Sequence, residues 1–495
     1  MKVPDVLAAR ARLHPDTPAL VDIRTGREHS YAEASQRAGR TAAYLRHQLG
    51  VRAGDRVGLL SGNRTEIIEL LVACGRIGAV LVPLNWRLPA SELSQIVADC
   101  TPVVLVCDQT HAATAALLGP PVVDLDAGWE EAIAACAPVP DQGMADAGAR
   151  WYLLYTSGTT GAPKGVIQTF GMALVNYLNI GTAVGLTSTD VTVNPLPMFH
   201  TGGINLHVLP TLFAGGTAIV VHEFDPGRVL RLLSERGTAF FGVPTMYQLL
   251  AEHPDFATTD LSRVRSWASG GAPFPVPLLT SLAGRGVVVR QGMGMTETGP
   301  TVFLIDEGHA VSRAGSVGKA QPFVEVSLDG VDGDGAGEGE LLIRGPGVTP
   351  GYWQRPEATA AAFTAEGWLR SGDVARRDTE GYYTIVDRIK DMFISGGENV
   401  YPAEVERVLI THPHVTDVAV VGVPDPRWGE VGKAVLVNSG PVDPEQIRAF
   451  CRQHLAAYKV PTHIEQVAEL PRNAAGKVLK AQLREPSPTW QENRQ

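Results

Sequence analysis

Between residues 31 and 107 the chain switches repeatedly between helical and strand periodicity, and this alternation constrains the fold more than any other feature of it. Ala32 to Leu49 reads as an amphipathic helix, Arg56 to Ser61 as a buried strand and Thr65 to Gly75 as a helix. Ala79 to Pro83 follows as a strand, Pro89 to Asp99 as a helix and Val103 to Cys107 as a strand. Strands separated by helices predict a mostly parallel sheet, reached by right-handed crossovers and covered on both faces. Residues 170–250 repeat the pattern, with strands near Ala218–Val221 and Ala239–Val243. From Gly315 to Tyr383 glycines and acids cluster and strands shorten, which predicts a small β-rich subdomain. Its Asp332-Gly-Asp-Gly-Ala-Gly337 run is not a calcium loop, because Ala336 and Ile343 stand where ligands are needed. A hairpin turn is expected there instead. Beyond about residue 390, helices at 402–411 and 445–458 and strands at 415–423 and 433–437 predict a small α+β domain. The expected class is therefore α/β. A large domain, 1–389, holds two βαβ-type subdomains and the β-rich one, and a small α+β domain, 390–495, follows.

At 495 residues the chain can bury a large core. A formal net charge of −10 argues against a broad nucleic-acid-binding face. Cys74, Cys100, Cys107, Cys136 and Cys451 have no close pairing, as expected of reduced thiols in a cytoplasmic protein. The first twenty residues lack the apolar core of a signal peptide, and no apolar run is long enough to span a membrane.

The chemistry concentrates in Tyr155-Thr-Ser-Gly-Thr-Thr-Gly-Ala-Pro-Lys-Gly165. Gly158, Gly161 and Gly165 allow sharp turns and close backbone approach. Thr156, Ser157, Thr159 and Thr160 add hydroxyl donors, and Lys164 adds a compact positive charge. Together they suit a polyphosphate. The spacing is not that of the common nucleotide P-loop, since Gly165 rather than a hydroxyl residue follows Lys164.

This stretch resembles the phosphate-binding loop of the adenylate-forming superfamily, which contains acyl-CoA synthetases, peptide-synthetase adenylation domains and luciferases. Further segments follow in that family's order over nearly the whole chain: Pro195–Gly203 around His200, Ser269–Pro273, Gln291–Thr298, Gly367–Asp373, Asp387–Lys390, Ile394–Asn399 and Pro471–Lys477. The resemblance implies that Gly270, Gly271 and Ala272 border adenine together with Met293, Gly294 and Met295. Met293 replaces a tyrosine common in relatives, and its sulfur can still cover an aromatic face. Thr296 would meet the α-phosphate, while Glu297, with Thr156, would hold Mg²⁺. Asp373 and Arg388 would take the ribose hydroxyls. Lys390 would be the hinge of a mobile small domain, Gly396 and Gly397 would line the pantetheine channel, and Lys477 would enter the adenylation site. His200 would lie beside the acyl carboxylate.

The implied activity is that of an AMP-forming acid:CoA ligase using ATP and CoA. Its partners are the acid, ATP and CoA, with a homodimer left open and neither nucleic acid nor a membrane span expected. His200, Gly202, Gly203, Phe241, Val243, Gly294 and Pro300 are the expected acyl pocket, its glycines read as leaving room for the substrate. No aspartate follows His200 to hold an amino group, which disfavours an α-amino acid. A fatty, alicyclic or aromatic acid is expected. Two other readings stay open: transfer to a free-standing carrier protein or other nucleophile, and an idle nucleotide sensor.

Overall fold

The computed structural model describes residues 1–141, 143–156, 163–333, 335–389, 391–395, 398–440, 442–472 and 476–484. These form two compact units. The first comprises Met1–Phe274, Leu278–Val326 and Ile343–Leu369; the second comprises Pro275–Pro277, Ser327–Leu342 and the chain from Arg370 onward.

Two large sheets build the first unit. In the six-stranded sheet the order is 164–169, 150–156, 80–83, 56–60, 104–107 and 122–124. The nine-stranded sheet runs 319–320, 303–304, 289–293, 266–269, 239–242, 191–194, 217–220, 18–22 and 27–30. The strands expected at 56–61, 79–83 and 103–107 are parallel neighbours in the first of these, as the alternation predicts. Helix Tyr31–His47 begins in a capping box: the Ser30 hydroxyl accepts from the Glu33 amide, and the Glu33 carboxylate accepts from the Ser30 amide.

One core joins side chains of both sheets, including Leu20 and Val220 from one, and Leu59, Leu81, Val106 and Leu154 from the other. Helix Glu66–Ile77 contributes Ile68 and Leu71 to it and is buried on nearly all sides. That helix carries Glu69 into the interior, where Arg37 Nε meets its carboxylate at 2.7 Å. Burial still pushes the Glu69 carboxyl up to about 7, against the pull of Arg37. Arg37 also bonds Glu130 at 2.8 Å. Arg37→Ala would strand a buried carboxylate, so unfolding in urea should show a loss of about 3–5 kcal/mol. A loss below about 1 kcal/mol would mean that Glu69 is carried as the neutral acid.

The β-rich stretch expected over 315–383 supplies most of a four-stranded sheet in the order 325–328, 337–344, 369–377 and 383–388, whose last strand runs on to Arg388. Its first two strands are neighbours, as a hairpin turn between them requires. In the second unit a five-stranded sheet of 393–395, 398–400, 429–438, 415–425 and 463–466 packs with helices Pro402–Leu409 and Pro444–His454 around Val405, Val420, Leu436 and Ile447. The second compact unit takes up the chain again at Arg370, ahead of residue 390. Part of the reason is local, since Asp387 Oδ2 accepts the Ala403 amide at 2.7 Å and ties strand Tyr383–Arg388 to the helix that follows. Cys74, Cys100, Cys107 and Cys451 are buried free thiols.

Candidate active site

In the first unit Thr156 and Lys164 are cross-strand partners at the ends of the antiparallel strands Arg150–Thr156 and Lys164–Thr169. Gly165 lets the strand pass close to Tyr155, since a Cβ there would stand 3.0 Å from the ring, which would have to give way. Ser157, Gly158, Thr159 and Thr160 lie outside the described residues.

The strand that carries Lys164 also fixes the segment beside it. Ile167 donates to the Gly351 carbonyl and Trp353 donates to the Gly165 carbonyl, so Tyr352 is held against this strand. Lys164 Nζ sits 5.2 Å over the Tyr352 ring, and the Tyr352 hydroxyl donates to Glu297 Oε1 at 2.9 Å. Burial first, and then the Glu297 charge, raise the Tyr352 hydroxyl well above the ordinary tyrosine range, so it remains a donor. Gln168 Nε2 donates to the Thr296 carbonyl at 2.9 Å, and the Thr349 amide donates to the Glu297 carbonyl at 2.7 Å. A cation, a phenol and a buried carboxylate are thus aligned by backbone pairing.

Thr296 and Glu297 follow strand Val289–Met293, and Gly270 follows the parallel strand Ser266–Ser269. Both lie at carboxyl ends of strands, the edge where open α/β sheets bind ligands. Gly271 needs its glycine conformationally (φ +83°), and it and Ala272 are exposed. Met293 is half-buried and pairs with Phe303, while the Met295 amide donates to the Thr298 hydroxyl at 3.1 Å.

Two expected pocket glycines prove to serve packing. A Cβ at Gly203 would overlap the Pro197 carbonyl, and one at Gly294 would overlap the Pro300 carbonyl oxygen. At neither does the missing side chain itself leave room for substrate, because backbone occupies that position. Gly202 meets only ordinary contacts at 3.5 Å and 3.6 Å, and at Gly270 the nearest group is the Phe241 ring at 3.2 Å. Phe241 belongs to an apolar cluster with Ile180, Val184, Leu196, Ala268 and Leu304, against which Val243 packs.

His200 stands between strand Val191–Asn194 and the helical turn Gly202–Leu206. Asn63 holds the loop leading to it, donating to the Leu196 carbonyl at 2.9 Å and accepting the Met198 amide at 2.9 Å. Burial, and secondarily the Arg87 charge, lower the imidazole to about 4, and its Nε2 is buried without a hydrogen-bond partner. Arg87 itself lies 4.8 Å over the Trp86 ring and 5.9 Å over Phe199. From pH 5.5 to 8 the His200 ring is therefore neutral. His200→Asn should lower adenylation without altering the shape of its pH profile in that range; loss of a step near 6.5 would contradict the neutral assignment. An unfolded histidine titrates near 6.5, so the unfolded chain binds more protons between that value and about 4. Burial of neutral His200 thus contributes stability at neutral pH that declines as the pH falls through this window.

In the second unit Asp373 and Arg388 face each other across paired strands. Arg388 Nε contacts Asp373 Oδ1 at 2.8 Å, and Asp373 is buried while Arg388 is partly exposed. Burial raises the Asp373 carboxyl; the Arg388 charge and then the Lys477 charge oppose this. Lys477 is exposed, and its charge reaches the Asp373 carboxyl, so the unit brings together three residues that the sequence separates. Lys390, Gly396 and Gly397 lie outside the described residues.

Sequence reasoning missed Tyr352, Gln168 and Asn63. Each acts through a partner distant in sequence, and no local spacing marks it. Among the described residues there is no group of three or more His, Cys, Asp or Glu able to hold a metal by itself. A lone carboxylate beside a phosphate-binding loop suits Mg²⁺, which is commonly held by one or two carboxylates plus substrate phosphates.

The AMP-binding enzyme family matches residues 7–353, and the AMP-binding enzyme C-terminal domain matches 404–477. The chain is 44% identical to a feruloyl-CoA synthase of Amycolatopsis over 487 residues, 96% of this chain and 97% of that one. It is 38% identical to a long-chain-fatty-acid–CoA ligase of Mycobacterium tuberculosis, with 97% of each chain covered. An o-succinylbenzoate CoA synthetase from Bacillus subtilis, solved with its acyl-adenylate intermediate, superposes with a TM-score of 0.90 at 32% identity, covering 98% of this chain and 99% of that one. The chain belongs to the AMP-binding enzyme family. No helix among the described residues is long and apolar enough to cross a membrane.

Proposed function

We propose that the residues described above divide between them the two half-reactions of an AMP-forming acid:CoA ligase, the class of enzyme to which this chain belongs. A carboxylate is already anionic and has a poor leaving group, so direct attack by a thiol is slow. Attack of the carboxylate oxygen on the α-phosphate of ATP expels pyrophosphate and leaves a mixed anhydride with AMP. The thiol of CoA then adds to the acyl carbon, and AMP departs with the C–O bond electrons.

Negative charge accumulates on phosphate oxygens in the first step. Lys164 faces the β and γ phosphates in this reading, and Tyr352 holds Glu297 in place. Glu297 and Thr156 would hold Mg²⁺, which supplies charge neutralisation at the phosphates; the Bacillus subtilis synthetase is also solved with ATP and magnesium. Met293, Gly270, Gly271 and Ala272 border the base, and Asp373 accepts from the ribose hydroxyls with Arg388 orienting it. Lys477 neutralises charge between the carboxylate and the α-phosphate. His200 stays neutral and offers one hydrogen bond to the acyl carboxylate. Lys390 serves as the pivot between 1–389 and 390–495, and Gly396 and Gly397 line the thiol's path.

The single observation supporting this most strongly is the alignment of Lys164, Tyr352 and Glu297. The apolar cluster around Phe241 supports an acid with an apolar body, fatty or aromatic. Free buried thiols suit the reducing cytoplasm. The test is AMP release from ATP over a panel of carboxylic acids, with and without CoA. Acceleration by CoA and an acyl-CoA product are expected. Formation of ADP, or acceleration only by a carrier protein, would overturn the reading.

A further inference from the structure

The apolar cluster containing Phe241 has a polar end. His207 is 1% exposed, and neither of its ring nitrogens has a hydrogen-bond partner. Its ring lies edge-on to Phe241, centroids 5.7 Å apart. Ser266, 4% exposed, also has an unpartnered hydroxyl. On strands Ala239–Gly242 and Ser266–Ser269 the residues Phe240 and Trp267 belong to a different core. Their alternating neighbours Phe241 and Ala268 face the substrate-side cluster, and Ser266 shares that face with Ala268. Ser266 begins its strand and Gly270 follows the strand's carboxyl end, so the two ends of this face are separated by roughly 10–13 Å.

Buried polar atoms are nearly always paired, and leaving one unpaired is destabilising. Three such atoms at the inner end of an apolar surface therefore call for a partner. The nearby charges do not supply it: Arg265 and Asp190 bind each other, and Arg265 also donates to the carbonyls of Val184 and Gly185. Thr192 and Thr211 pair at 2.6 Å. We propose that His207 and Ser266 form a receptor at the inner end of the acyl pocket, selecting a monocarboxylic acid with an uncharged hydroxyl or carbonyl oxygen about 10 Å from its carboxylate. This rests on the ligase reading and on the Phe241 cluster as the acyl wall.

The chemistry of the pair argues for that class of group. Burial first, with Arg265 and against Asp190, brings His207 down to about 4, so its imidazole is neutral and presents one donor and one acceptor. A hydroxyl matches both, whereas a distal carboxylate would enter a buried site beside Arg265, whose guanidinium is already taken by Asp190 and backbone carbonyls. A plain alkyl tail or unsubstituted ring would leave the nitrogens unpaired, and sites built for a hydroxyl discriminate strongly against analogues lacking it.

The experiment compares 4-hydroxycinnamate with cinnamate by kcat/KM for AMP release, and by equilibrium binding of each acid followed through tryptophan fluorescence. The parent protein should prefer the hydroxylated acid in both. His207→Leu should reduce the preference about tenfold or more, His207→Gln should restore part of it, and Ser266→Ala should reduce it less. The melting temperature of His207→Leu should be unchanged or higher, because two unpaired nitrogens are removed. Equal binding of the two acids by the parent, or equal losses on both in His207→Leu, would overturn the receptor. A preference in binding without AMP from any acid would instead sink the ligase reading and leave the receptor standing.

Discussion

Lys477→Ala is expected to abolish acyl-adenylate formation while sparing thioester formation from acyl-adenylate supplied from outside. The loss in the first step should be about 10²–10³-fold, the scale seen when a preorganised donor to developing charge is removed. The thioester step from added adenylate should change by no more than a few-fold, since it breaks the bond to AMP without gathering new charge on three phosphates. The second unit adds a consequence. Lys477 is one of two cations restraining the Asp373 carboxyl, which burial alone would raise. Removing it moves that carboxyl further up, so ATP affinity should weaken more at pH 6 than at pH 8. Pyrophosphate–ATP exchange and single-turnover transfer from synthetic adenylate separate these effects. Equal damage to both half-reactions would end the assignment of Lys477 to the first.

Glu297→Gln is the second large effect. A glutamine oxygen can still accept from the Tyr352 hydroxyl, which now lies 2.9 Å from the carboxylate, so the local structure should survive. What disappears is the negative charge. Adenylation should fall about 10²–10³-fold, and the magnesium concentration giving half-maximal rate should rise sharply, since a neutral amide is a weaker ligand for a hard cation. Thermal stability should be little altered. An unchanged magnesium dependence would show that Glu297 is not the metal's carboxylate. Tyr352→Phe provides the contrast: it removes the bond and keeps the charge, so its effect should be smaller.

The parts of the site readable in the sequence are those whose chemistry sits within one short segment. Lys164 is legible because hydroxyls and glycines surround it, and Glu297 because Thr296 and glycines precede it. Tyr352 was not legible, because what gives it a role is a carboxylate 55 residues away and a lysine on a strand paired with its own segment. Gln168 similarly reaches the Thr296 carbonyl across 128 residues. The glycines show the opposite failure. Gly203 and Gly294 were readable as glycines, but whether a missing side chain leaves space for substrate or admits another stretch of backbone depends on what packs there. For both it is backbone.

By itself the sequence determined the local elements, because periodicity and capping act over a few residues. Helix Tyr31–His47 and strands Arg56–Leu60, Val80–Pro83 and Val104–Cys107 fall close to their expected positions. It also pointed to the residues proposed to bind phosphate, since that role requires donors along one loop. Only the tertiary structure decided which strands share a sheet. Strand Pro18–Asp22, which no local pattern ties to residue 220, pairs in parallel with Thr217–Val220 and extends the nine-stranded sheet. It likewise set His207 and Ser266 against the Phe241 cluster, where burial and the want of a partner turn ordinary residues into a recognition surface. Neither fact has a short-range cause: both follow from the burial of apolar faces against partners that the chain brings together only when it closes.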